Sequence, residues 1–158
     1  MTLDFVKNGE VWGLDMGATT GWCRLDVSNK RIEYGVELFS RCESEAHRFL
    51  RFNEWVGERF YDWRKPVLIA YEKPAPWGKV GSIARNIGIV FEAHLSEQAL
   101  LNKCSAVGVH IATLKKFGAG DGRAKKPEMQ AAARKFIESV RTLDDVSGPG
   151  KPVQYSML

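Results

Sequence analysis

The spacing of apolar and polar side chains divides the chain into alternating strand-like and helix-like stretches. Val11–Met16 reads as a buried strand that ends at a carboxylate, Asp15. Gly17–Gly21 reads as a turn rich in Gly and Thr. Trp22–Val27 alternates apolar and polar positions, as a half-buried strand does. Ser28-Asn29-Lys30 suits a tight turn, and Ile32–Phe39 completes an antiparallel meander. From Glu43 to Trp63 the period lengthens: Phe49, Phe52, Val56, Phe60 and Trp63 recur every three or four residues and form one apolar stripe of a helix.

Pro66 stops that helix, and Val67–Tyr71 is a continuous apolar run, the mark of a central parallel strand covered on both faces. It ends at Glu72 and is broken by Pro74 and Pro76. A helix is expected over Ser82–Leu101, a fifth strand over Ala106–Ile111, and one short helical turn over Thr113–Phe117. Gly118–Gly122 reads as a flexible loop, and Pro127 opens a last helix that runs to Val140. Residues 1–146 are expected to form one domain, and 147–158, with Gly148, Pro149, Gly150 and Pro152, an irregular tail.

The predicted order is β-β-β-α-β-α-β-α. It describes an α/β fold: a mixed five-stranded sheet, three strands in a meander and two parallel strands entering through crossovers, with helices on both faces. That order resembles the RNase H-like architecture. In open sheets of this kind ligands gather at the carboxyl ends of strands.

Composition narrows the class. With 158 residues, 44% hydrophobic and 27% charged, the chain has room for one sizeable core and too few residues for two typical domains. Its 17 aromatic side chains argue against disorder. No apolar run is long enough for a bilayer, and Met1-Thr2-Leu3-Asp4 does not read as a signal peptide. Cys23, Cys42 and Cys104 are odd in number and lack metal spacing, so free thiols in a reducing cytoplasm are expected.

The net charge of +4 is uneven. Residues 1–102 carry a net −1, residues 103–141 a net +6, and residues 142–158 a net −1. A nearly neutral body with one basic segment suits a polyanion; a solvated basic helix that binds nothing is the alternative. Lys115, Lys116, Arg123, Lys125 and Lys126 flank the glycine-rich loop, where they can follow a phosphate backbone without reading bases. Lys73, Trp77, Lys79 and Arg85 join the DNA-binding candidates. Trp77 either stacks on an unpaired base or caps the core beside two prolines.

Asp15 and Glu72 both terminate apolar strands. If those strands are neighbours, the two side chains converge across 57 residues of sequence. Two convergent carboxylates make a hard-oxygen site suited to Mg²⁺ or Mn²⁺, and burying strand-end carboxylates is costly unless they are compensated. Thr19 and Thr20 then supply hydroxyls near the metal or a phosphate, and Gly17 and Gly21 let the backbone turn. Glu92 and Glu97 read as helix-surface charges, His94 as a core or surface histidine, and His110 as the one histidine near the carboxylate edge. A Gly/Thr turn after an Asp-bearing strand also occurs in sugar kinases and actin-like ATPases, which leaves a phosphotransferase fragment open. Those enzymes need a second domain to enclose nucleotide.

Trp12–Trp22 resembles the first catalytic motif of RuvC-type Holliday junction resolvases, Leu68–Lys73 the second, and Ala112–Gly120 followed by Ala124–Met129 the lysine and glycine segment before that family's penultimate helix. The order and spacing agree over residues 10–145. The resemblance implies a compact, bacteriophage-type homodimer that cuts branched or four-way DNA with Mg²⁺, in recombination or repair, without an organic cofactor. It carries Asp15 and Glu72 over as metal ligands and Lys115, Lys116 and Lys125 as DNA contacts. The family closes with a helix bearing two further acids, near Asp-x-Ala-Asp-Ala; here Asp144-Asp145 is followed by Val146-Ser147-Gly148-Pro149-Gly150. Either Asp144 and Asp145 complete the catalytic metal site, or the last ligands are absent and the chain is a non-catalytic branched-DNA-binding module.

Overall fold

The computed structural model describes residues 9–40, 44–63, 65–74 and 82–142. Asp144, Asp145 and the tail, like Cys42, Trp77 and Lys79, lie outside them. The elements are β1 (Glu10–Asp15), β2 (Thr19–Asp26), β3 (Arg31–Leu38), α1 (Glu45–Asp62), β4 (Pro66–Glu72), α2 (Ser82–Leu101), β5 (Ser105–Val109), α3 (Ile111–Ala119) and α4 (Lys126–Thr142). The sheet order is β3-β2-β1-β4-β5. β1 is central, antiparallel to β2 and parallel to β4.

Strand alternation sorts the side chains. Trp12, Leu14, Ile69 and Tyr71 share one face by register, and all are buried. α1 and α2 cover that face. Ser44 caps α1 by accepting the His47 amide at 3.1 Å, and its stripe buries Phe52, Trp55 and Val56. Phe52 stacks on Phe91 of α2 with ring centroids 3.7 Å apart, while Phe60 and Trp63 meet Trp12. These aromatic contacts join β1, α1 and α2 into one core.

The opposite face is less covered among the described residues. Tyr34, Val36 (61% exposed), Leu38 and Val107 stay open to solvent there. α4 packs against α3 and reaches β3.

Three boundaries differ from the sequence expectation. β2 begins at Thr19, so Gly21 is not part of the turn but lies extended opposite Asp15. β5 ends at Val109, and His110 becomes the N-cap of α3. α3 runs nine residues, straight through Gly118, and ends at Gly120, whose left-handed backbone donates its N–H to the Lys116 carbonyl. Gly118 is inside the helix because Met129 of α4 crosses it: a Cβ there would stand 3.2 Å from the Met129 methyl. Pro66 is the first residue of β4, a position that tolerates its missing N–H.

Candidate metal and nucleic-acid site

The parallel pairing of β1 with β4 builds the site. Leu14 is the register partner of Tyr71. One residue further along, Asp15 and Glu72 therefore stand side by side on the same face, on strands whose backbones are about 4.8 Å apart. Glu72 is in turn the register partner of Val109, and Lys73 donates its N–H to the Val109 carbonyl at 2.9 Å. Asp15 is exposed and Glu72 half-buried. Burial pushes the Glu72 carboxyl up from its ordinary value, the charge of Asp15 pushes it further, and Lys115 of α3 partly offsets both. Asp15 and Lys115, remote in sequence, thus share one electrostatic environment with Glu72.

The β1–β2 turn is shaped by backbone needs. The Thr20 hydroxyl donates to the Gly17 carbonyl at 2.8 Å and accepts the Gly17 N–H at 3.3 Å. It is fully buried. Its expected role beside a metal or phosphate is corrected: its hydrogen bonds stay within the turn. Thr19 is exposed in β2. Neither Gly17 nor Gly21 has a positive φ. A Cβ at Gly21 would stand in ordinary contact with Asp15 Cβ, at 3.7 Å.

Beside Glu72 opens a cleft of about 260 Å³ between the β1–β2 turn and the start of α2. Gly17, Ala18, Pro74, Arg85 and Gly88 line it with Glu72. Gly88 admits Pro74, which a Cβ would meet at 3.2 Å. Arg85, half-buried, is the cation in this cleft among the described residues.

The remaining cations split into two groups. Lys115 is half-buried toward Glu72; Lys116, Arg123, Lys125 and Lys126 are exposed along α3, the following loop and the start of α4. Lys73 is exposed next to Glu72. Among the described residues none of these six forms an ion pair within 4 Å. His110 is exposed at the α3 N-cap, and His94 lies 3.8 Å from Glu97 on the α2 surface. Cys23 and Cys104 are free thiols.

One pair was not anticipated. Glu92, expected on the surface, is half-buried and accepts a hydrogen bond from the Tyr71 hydroxyl at 2.7 Å. The signal was available: Glu92 falls on the buried stripe of α2 formed by Gly88, Leu95 and Ala99, and a buried tyrosine needs a partner for its hydroxyl.

Chemically, two like-charged oxygen donors at a sheet edge fit a hard divalent cation. The described residues contribute only this pair, and no group of three or more His, Cys, Asp or Glu side chains converges among them.

Solved structures share this architecture. The chain aligns with Thermus thermophilus RuvC at a TM-score of 0.68 and 20% identity, over 82% of this chain and 80% of that one. T. thermophilus RuvC in complex with Holliday junction substrate aligns at 0.66 and 19%, over 81% and 79%. The yeast mitochondrial Holliday junction resolvase Ydc2 aligns at 0.57 and 11%, over 83% and 62%. No protein-family model matches the sequence, and no curated protein matches it. The fold is RuvC-like.

Proposed function

We propose that this chain, RuvC-like in fold, is a divalent-metal-dependent, structure-selective endodeoxyribonuclease that cuts four-way or branched DNA. The observation that carries this reading is the juxtaposition of Asp15 and Glu72 at adjacent strand ends, with Lys115 beside them and Lys116, Arg123, Lys125 and Lys126 exposed along α3, the following loop and the start of α4. The neighbour solved with a Holliday junction substrate supports branched DNA as the ligand.

Asp15 and Glu72 would hold Mg²⁺ or Mn²⁺, and Asp144 or Asp145 takes the remaining ligand role. Such a cation supplies polarisation of the phosphoryl oxygen and neutralises charge on the departing oxygen. Lys115 partly offsets the upward push of burial and Asp15 on the Glu72 carboxyl and adds positive charge where the phosphate must sit. Lys116, Arg123, Lys125 and Lys126 hold the DNA by its phosphates, so selectivity rests on branch shape and deformability rather than base contacts. Lys73 and Arg85 border the same edge, and Trp77 and Lys79 belong to the same DNA-binding set. In the net reaction water adds to phosphorus, the P–O3′ bond breaks, and the 3′-oxygen leaves as a hydroxyl, giving 5′-phosphate and 3′-hydroxyl ends.

A symmetric substrate with two strands to cut calls for two centres. The outward stripe of α2, with exposed Ile89, Ala93 and Leu100, offers an apolar surface to a second copy. In the homodimer reading, Leu100→Asp converts the dimer to monomer in light scattering. No helix among the described residues is long and apolar enough to cross a membrane; the DNA substrate proposed above is what assigns the protein to the cytoplasm.

The test is Mg²⁺-dependent cleavage of a four-way junction by wild type, Asp15→Asn and Glu72→Gln. Equal cutting by all three would remove the proposal. The presence of only two convergent acids among the described residues favours one second reading, a junction-binding module without nuclease activity. It requires junction binding that persists in EDTA and no cleavage with Mg²⁺ or Mn²⁺.

A further inference from the structure

Glu72 is the last residue of β4, and strand ends are where sheets open first. A metal ligand at such a place needs something beneath it that does not move. Tyr71, the preceding residue, points to the opposite, helix-covered face and is 7% exposed. Its hydroxyl reaches across to the Glu92 carboxylate on α2 at 2.7 Å. Its ring lies against the backbone of the neighbouring strand: Gly108 of β5 is its register partner, and a Cβ there would stand 3.0–3.1 Å from the ring and hydroxyl. The hydroxyl–carboxylate bond is part-buried and charge-assisted, the stronger class of hydrogen bond.

We infer that Tyr71, Glu92 and Gly108 form a clamp across β4, α2 and β5 that fixes the carboxyl end of β4 and so sets the position of Glu72 relative to Asp15. All three are positioning residues. The inference rests on the reading of Glu72 as a metal ligand. It also explains the glycine next to the end of β5: the strand gives up a side chain there so that the Tyr71 ring can lie against it at the level of the site. Tyr71→Phe keeps the ring and removes the tie. Glu92→Gln keeps an oxygen that accepts the hydroxyl, and so serves as the conservative rescue.

Two measurements on the full chain test it. In metal-free protein, hydrogen exchange of the Lys73 amide, bonded to the Val109 carbonyl, reports opening of the strand end. In Tyr71→Phe it is expected to speed up about tenfold while the central β4 amide of Ile69 keeps its rate. In a Mn²⁺ titration, Tyr71→Phe is expected to raise the half-saturating concentration about tenfold, the usual scale for residues that orient metal ligands; Glu92→Gln stays within about threefold. Unchanged exchange at Lys73 in Tyr71→Phe overturns the clamp. Faster exchange with unchanged Mn²⁺ half-saturation overturns the positioning role and leaves only a structural bond. A wild-type protein that takes up no Mn²⁺ overturns the metal-site reading instead, and the Lys73 exchange rate alone then decides the clamp.

Discussion

β1 begins with one carboxylate and ends with another, and the two are treated in opposite ways. Glu10, 5% exposed at the start, accepts a hydrogen bond from Trp12 Nε1 at 2.6 Å and lies 3.8 Å from Arg24. Arg24 also donates to Glu33 at 2.6 and 2.8 Å, Arg31 closes on Glu33 at 3.0 Å, and the Arg24 guanidinium sits over Trp63. Every acid named there has a donor. At the other end Asp15 and Glu72 face each other, Glu72 is made harder to ionise, and no cation comes within ion-pair distance among the described residues. A buried acid that serves the fold is neutralised by the fold; on the proposed reading, the mutually repelling pair would receive a charge the chain does not itself supply.

Exchanging the two ends' properties sharpens the contrast. Asp15→Asn is expected to reduce junction cleavage about a thousandfold, the scale for losing one group that stabilises developing charge, with no fall in the thermal midpoint. At the opposite end Arg24→Met leaves Glu10 and Glu33 without their shared cation. Removing one partner of a largely buried network costs about 2–4 kcal/mol, discounted because Arg24 is partly exposed. That lowers the melting temperature by about 5–10 °C, while cleavage measured well below melting stays at the wild-type rate. A loss of cleavage in Arg24→Met with normal stability would contradict the division of labour between the ends.

Smaller effects follow. Lys116→Ala and Lys125→Ala each weaken junction binding evenly across sequences and reduce the slope of log affinity against log salt by about 1, read from binding isotherms at several salt concentrations. The smallest effect is a matter of pH. Because the folded Glu72 carboxyl is raised above its unfolded value, its ionised form opposes folding. That penalty is absent below the unfolded value and complete above the folded one. Metal-free Glu72→Gln is therefore expected to melt about 1–2 °C above wild type near neutrality, and the gap closes as pH falls through the ordinary glutamate range. A gap that widens on acidification would reverse the sign.

The strand-end acids were legible from the sequence because each closes an apolar run; that β4 lies beside β1 was only a condition there, and the sheet order meets it. The helical stripes of α1 and α2 were legible for the same reason: their period repeats over several turns. What the pattern hid was set by contacts between elements. Gly118 reads as a loop residue until Met129 is known to cross it. The Thr20 hydroxyl reads as a ligand until the turn claims it. Glu92 reads as a surface charge until Tyr71 meets it. Each is a local preference overridden by a partner remote in the chain.

The sheet order β3-β2-β1-β4-β5 also governs when the two strand-end acids come together. A ribosome-bound chain that has emerged only through Leu38 contains Asp15 on a finished meander, yet no second acid beside it. The neighbouring position fills only after α1 has been made and β4 has crossed back to zip onto β1, a non-local pairing that forms slowly and late. Until then the nascent chain lacks both the paired acids and the basic segment of residues 103–141, so on the proposed reading it holds no cutting centre.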